Sequence, residues 1–353
     1  MREFASMAQR GGRRAHLVLV AVLAGLLAAC GPAGHAPPAA PASQRQTAGE
    51  AERTLASLRL VDSHPLYTMT FYGGYTVPEA PAATAAARPA GRPWGCSLFA
   101  ASGAATALYG RNFDWSDHPA LLLFTHPPGG YAAVSMVDLS YLGYDRAHLG
   151  ALGSPAGRRA LLRAPLLPFD GMNDHGLVVG MAADDQAVAP HDPAKPTTGG
   201  VRVIRLLLDQ ARTVDQGVAI IGRHNLDFSG GPPLHYLVAD ATGRAAVVEF
   251  VDGRQRVTYG DGPWLAAVNF QLSGSSARQR QHDWRYRTAS GRLAGTHGSM
   301  SWHAAMSLLR AVAQPITRWS VVYGMRSGDV HLAMDRDYQR VHSFRLPMSE
   351  ADG

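Results

Sequence analysis

The stretch GCSLFAASGAATALYGRNFDW, residues 95–115, reads as two strands joined by a turn. Residues 97–101 and 105–113 are the strand candidates, and Ser102-Gly103 is a hairpin signal between them. Cross-strand pairing about that turn brings Cys96 opposite residue 110 or 111, so Arg111 is expected beside the thiol. A guanidinium there favours thiolate and works to lower a thiol pKa of about 8.5. Asp114 follows three residues later. Strict alternation puts Arg111 and Asp114 on opposite faces, so both reach Cys96 only if the strand ends or bulges near Asn112.

Outward from this segment the pattern repeats. Residues 236–240 and 245–250 flank Thr242-Gly243, and 320–323 and 330–333 flank Ser327-Gly328, predicting two more hairpins. Residues 67–72 are strand-like, rich in aromatics and threonine. Helices are expected over 201–212 and 214–221, where Ile204, Leu207, Leu208, Ala211, Val218 and Ile221 recur at helical spacing before Gly222. Ser301 is placed to cap another helix, with Ala305, Leu308, Leu309 and Val312 on one face and Pro315 as its stop. Residues 79–92, mostly Ala, Pro and Arg, read as an exposed, cleavable loop. Hairpins with a few helices and no regular βαβ alternation predict an α+β fold rather than a doubly wound sheet.

The chain has 353 residues, 46% of them hydrophobic and 17% charged, enough for a real core. Its net charge of +6 is unevenly placed: residues 1–29 carry +3, and Lys195 is the sole lysine. No dense basic run follows the N-terminus, which argues against nucleic-acid binding. Residues 1–29 read as an export signal, with Arg10, Arg13 and Arg14 before an apolar run too short to span a bilayer. That run ends in Leu27-Ala28-Ala29-Cys30-Gly31, which resembles the bacterial lipoprotein box, so Cys30 is the expected site of lipid attachment. Residues 30–50 then form a Pro/Ala-rich tether, and the protein is expected to be exported and anchored to the cell envelope. With Cys30 acylated, Cys96 has no disulfide partner within the chain.

No phosphate loop, dinucleotide fingerprint or nucleophile elbow occurs, and the 15 histidines form no zinc motif. Neither a cofactor nor a metal is expected.

Gly95-Cys96 followed by Gly110-Arg111-Asn112-Phe113-Asp114-Trp115 resembles the start of the choloylglycine hydrolase and penicillin V acylase group, which includes acid ceramidase-like amidases. Further segments agree in order: 172–177, 235–240 with 247–250, Val268-Asn269-Phe270, and 319–323. These are N-terminal-nucleophile hydrolases, so the resemblance implies a four-layer αββα sandwich. It implies that cutting between Gly95 and Cys96 frees Cys96 as both nucleophile and α-amine, with Arg111 and Asp114 flanking it. Asn269 would donate to the oxyanion, with a backbone N–H near Ala183 as the second donor. A further arginine is expected after that asparagine, at Arg285 with Arg287 as the rival. Asn173-Asp174 reads as a turn.

The implied division is a signal at 1–29, a tether at 30–50, a propeptide or small fragment at 51–95 and a catalytic domain at 96–349. The implied activity is hydrolysis of linear, non-peptide C–N bonds in a small N-acyl amide. Acyl transfer to an amine is the alternative within the family, and a lipoprotein that binds an acylated ligand without turnover is the alternative outside it. After a cut at residue 96 no disulfide could join the pieces. The apolar, aromatic stretch 58–75 is expected to stay packed on the rest and hold it at the membrane.

Overall fold

A computed structural model describes residues 46–77, 95–103, 106–116 and 118–349. The expected export signal, Cys30, most of the tether and the 79–92 loop lie outside the described residues.

Two sheets form the inner layers. One has nine strands, in spatial order β1 (Arg59–Asp62), β2 (Leu66–Phe71), β5 (Ala120–Thr125), β6 (Ala133–Asp138), β7 (Asp170–Asn173), β8 (Val178–Ala183), β11 (Leu234–Ala239), β12 (Ala245–Val251) and β13 (Arg254–Tyr259). The other has six: β14 (Trp264–Ala267), β3 (Gly95–Ala101), β4 (Leu108–Asp114), β15 (Thr317–Gly324), β16 (Asp329–Met334) and β17 (Val341–Arg345). A short parallel pair, β9 (Thr197–Gly199) and β10 (Asn225–Asp227), stands apart. The helices are α1 (Ala48–Ala56), α2 (Arg202–Gln210), α3 (Val214–Gly222), α4 (Ala277–Arg280), α5 (Trp284–Gly295) and α6 (Trp302–Ala311).

The sheets meet face to face, β3 against β8, and this contact needs a small residue. A Cβ on Gly180 would lie 2.7 Å from the Tyr109 hydroxyl, which itself crosses between the sheets to donate to Leu237 O at 3.0 Å. Helices α2 and α3 cover the nine-stranded sheet, while α5 and α6 cover the six-stranded one. The result is the four-layer αββα sandwich. Strands such as β5, with Ala120 to Leu123 wholly buried, read as continuous apolar runs because both of their faces are covered.

The hairpins at Thr242-Gly243 and Ser327-Gly328 form as expected, as β11–β12 and β15–β16. Helices α2, α3 and α6 follow the apolar periodicity, and Ser301 accepts from Ala304 N to start α6. The β3–β4 hairpin forms, but in a different register. Its connection spans 102–107, so Cys96 pairs with Phe113 and Arg111 with Leu98. Arg111 is therefore a diagonal neighbour of Cys96 on the same face, not its direct partner.

Two helices differ from expectation. Helix α1 begins inside the expected tether, because Thr47 and Glu50 close a capping box. Helix α5 is capped by Asp283, which accepts from Arg285 N and Tyr286 N; its buried face includes Arg285 and Ser290, which break the apolar stripe. Among the described residues no helix is long and apolar enough to cross a membrane.

Candidate active site around Cys96

Cys96 is the second residue of β3 and is 5% exposed. Arg111, fully buried on β4, brings Nη2 to 3.7 Å from Sγ. The guanidinium is fixed by Asp170, which forms an ion pair with Nη1, and by the carbonyls of Phe169 (3.2 Å) and Met181 (3.0 Å). Asp170 also accepts from Tyr323 (2.5 Å) and from Trp319 Nε1 (3.3 Å). The aromatic ring of Phe113 stacks on Trp319 at 3.9 Å and closes the same cluster.

This geometry corrects the expected direction of the thiol pKa. Burial pushes the Cys96 thiol above its ordinary value and the Asp114 charge adds to the rise, while Arg111 opposes it without prevailing.

Asp114 ends β4 with no bulge at Asn112; the irregularity falls on the neighbouring strand, between Thr317 and Trp319. Alternation therefore sends its side chain to the face opposite Arg111. There it accepts from Thr317 Oγ1 and Gln314 Nε2, each at 2.5 Å. Burial raises its carboxyl pKa against the opposing effect of those donors. The carboxylate stands beside Gly95: a Cβ at that glycine would lie 3.1 Å from Asp114 Oδ2 and 3.1 Å from Arg285 Nη1.

Asn269 follows β14 and gathers the other groups. Its Oδ1 accepts from Cys96 N at 2.7 Å and from Arg285 Nη1 at 2.9 Å, and its Nδ2 donates to Ala183 O at 2.8 Å. Arg285 Nη1 also donates to Cys96 O at 3.0 Å, while Nη2 pairs with Asp283 at 2.8 Å. Arg287 points elsewhere, exposed, to Gln281 O at 2.8 Å. Of the two arginines, only Arg285 touches Cys96. At the end of β8, Asp184 N donates to Pro233 O at 2.9 Å, so the alternating ladder turns the Ala183 N–H and C=O away from β11, toward Asn269.

Asn173 and Asp174 form the turn expected of them, with Asn173 Oδ1 accepting from His175 N (3.2 Å) and Leu177 N (3.0 Å).

Four polar residues of this cluster were not foreseen: Asp170, Glu249, Gln314 and Thr317. Glu249, fully buried on β12, accepts from Leu272 N (2.5 Å) and Ser273 N (2.8 Å), three and four residues beyond Asn269. Burial raises its carboxyl, but His235 and Ser273 prevail and hold it below its usual value. A signal existed: Glu249 is a lone acid inside the apolar run 245–251. Asp170 offers less, since Asp170-Gly171 reads as a turn.

A pocket opens over Cys96, with about 770 Å³ of empty space when the open solvent at its mouth is included. Phe113, Phe169, Met181, Ala183, Tyr141, Val201 and Phe228 line it together with Cys96. Its wall is largely apolar, and its charged residues are Arg111, Asp114, Arg202 and Asp227. Among the described residues no three His, Cys, Asp or Glu side chains converge as metal ligands would.

Residues 168–297, which include Ala183, Asn269 and Arg285, match the family model of acyl-coenzyme A:6-aminopenicillanic acid acyl-transferase. No curated protein sequence matches the chain. Among solved structures it is similar to a mutant of the conjugated bile acid hydrolase from Clostridium perfringens (TM-score 0.54, 12% identity, covering 73% of this chain and 94% of that one). It is similar to an arginine-to-leucine variant of that enzyme (0.53, 12%, 73% and 94%). A penicillin V acylase from Agrobacterium tumefaciens also matches (0.47, 14%, 70% and 90%). The chain shares the fold of these conjugated bile acid hydrolase structures, an α+β sandwich of two sheets between helical layers.

Proposed function

We propose that this protein is an N-acyl amidohydrolase whose nucleophile is Cys96, exposed by a cut between Gly95 and Cys96. The observation that carries the reading is the position of Asn269, which ties Cys96 N, Arg285 and the Ala183 strand end together beside an apolar pocket that Cys96 and Ala183 line. Once the bond to Gly95 is broken, the nitrogen that Asn269 now holds becomes a free α-amine with a pKa of about 7.7–8.0. Burial keeps the thiol protonated near neutral pH, so a base close at hand is needed, and that amine supplies it.

In this mechanism the α-amine takes the thiol proton as sulfur attacks the amide carbonyl. The second N–H of Asn269 Nδ2 and the Ala183 N–H stabilise the tetrahedral oxyanion, where loss of one such donor costs about 10²–10³ in rate. The C–N bond breaks, the departing amine takes the proton, and an acyl thioester remains on Cys96. Water activated by the same amine opens the thioester, releasing the acid and the thiol. Arg285 holds the Cys96 carbonyl and Asn269 Oδ1, and Arg111 steadies the sulfur from the side opposite Asp114. The apolar wall suits the acyl part of the substrate.

The acyl-transferase name of the matching family model favours a second reading, in which an amine rather than water intercepts the thioester. Product analysis with and without an added amine acceptor separates the two. We also propose export and lipid attachment at Cys30, which the sequence pattern alone supports.

The deciding experiment is intact mass and a panel of N-acyl amides. The wild-type chain should show a break before Cys96 and hydrolyse at least one amide. Cys96→Ala should stay uncut and inactive. Turnover by the alanine variant, or an unbroken wild-type chain that is fully active, overturns the proposal.

A further inference from the structure

Gly200 lies between β9 and α2 and lines the pocket over Cys96. Its backbone is outside the left-handed region, so conformation alone would admit any residue there. Space would not. A Cβ on Gly200 would stand 2.7 Å from Cδ1 and 2.8 Å from Cε1 of the Phe228 ring, and 3.2 Å from Leu234 Cδ1. All three residues belong to the pocket wall. Leu234 pairs on the ladder with Ala183, whose carbonyl accepts from Asn269, so this contact borders the strand end that Asn269 grips.

Hydrogen bonds hold the two backbones together. Gly200 N donates to Asp227 O at 2.9 Å, and the Gly200 carbonyl accepts from the Tyr236 hydroxyl at 2.6 Å. Around Phe228, Ser229 N donates to Asp227 Oδ1 at 2.9 Å and Gly231 N to Phe228 O at 3.1 Å. The ring meets the wholly buried Phe250 edge-on, with centroids 5.8 Å apart, so it has no room to retreat on that side. What stays open to the half-buried Phe228 is the pocket itself. To regain ordinary carbon–carbon contact with a methyl group at position 200, the ring would have to move by about 1 Å, into the space over Cys96. Glycine at 200 keeps the ring back, and the ring sets where the wall stands.

We infer that Gly200 and Phe228 form a specificity-determining pair for the acyl group. Gly200 seats the Phe228 ring, and the ring limits the bulk of the apolar acyl chain that the pocket takes beside Cys96. This rests on the amidohydrolase reading of Cys96 given above. Each CH₂ that such a wall buries is worth about fourfold in binding, so a displaced ring weighs most heavily on a long chain.

The test uses the full chain, with every variant in the same detergent. Two amides share the leaving amine of the best panel substrate and differ only in the acyl group, butyryl against decanoyl. The decanoyl-to-butyryl ratio of kcat/KM is compared in wild type, Gly200→Ala, Phe228→Ala and the double variant. Gly200→Ala should lower that ratio at least tenfold. With the ring removed the new methyl group has room, so the same change made on the Phe228→Ala background should move the ratio less than twofold. Equal falls on both backgrounds would mean that alanine acts through the backbone, which overturns the role of Phe228. No fall on either background overturns the pair. If the wild-type chain hydrolyses no amide at all, the reading of Cys96 fails and this inference with it. If it hydrolyses a panel amide but neither acyl homologue, only this inference fails.

Discussion

Asp170 and Glu249 are both fully buried carboxylates on inner strands of the nine-stranded sheet, and both support residues in contact with Cys96. They do so by different means. Asp170 gives its oxygens to side chains: Arg111, Tyr323 and Trp319. Glu249 gives its oxygens to backbone, the amides of Leu272 and Ser273. The first compensates a cation that no water reaches; the second fixes the path of a loop. Removing charge should therefore harm the Asp170 site through stability and the Glu249 site through geometry.

The largest expected effect tests the first half. Asp170→Asn keeps volume and leaves the Arg111 guanidinium buried without its counter-charge, which should cost about 3–5 kcal/mol of stability. A urea titration measures it as a lower midpoint at unchanged slope. A loss no greater than that of a surface substitution would break the contrast, because it would mean Arg111 needs no counter-ion.

Glu249→Gln tests the second half. One oxygen becomes an NH₂ that cannot accept, so one loop amide goes unpaired, costing about 1–3 kcal/mol. The displaced loop should lower turnover roughly tenfold through Asn269, with KM nearly unchanged. Thiol alkylation by iodoacetamide sharpens the comparison. Its rate should change in Asp170→Asn, which disturbs the cation beside sulfur, and stay level in Glu249→Gln. A shared response in both variants would merge the two roles into one.

The contrast also explains what could be read from the sequence. Cys96 and Arg111 meet across one hairpin, so their proximity was legible within a few dozen residues. Their register was not, because Ser102-Gly103 looks like a tight turn while the connection runs through 102–107. Helices α2 and α6 announced themselves through apolar spacing; α5 hid because Arg285 and Ser290 occupy its buried face. Asn269 stood out only through family resemblance, since an isolated asparagine at a strand end reads as a turn residue. Asp170 lay beyond reach for a physical reason: its partner is 59 residues away on the other sheet, and no local pattern encodes that pairing.

The smallest effect separates the two arginines of α5. Two residues along a helix are turned by roughly 200°, so Arg285 and Arg287 face nearly opposite ways. Arg285 faces the six-stranded sheet and reaches the Cys96 carbonyl; Arg287 meets only Gln281 O at the surface. Arg287→Ala should thus leave turnover unchanged and stability within about 0.5 kcal/mol, as for an ordinary exposed site. Arg285→Lys should not be silent, despite its retained charge. A single ammonium cannot span Asp283, Asn269 Oδ1 and Cys96 O as the guanidinium fork does. Equal activity losses in the two variants, measured on the same amide, would mean that the helix acts through its overall charge and not through the hydrogen bonds of Arg285.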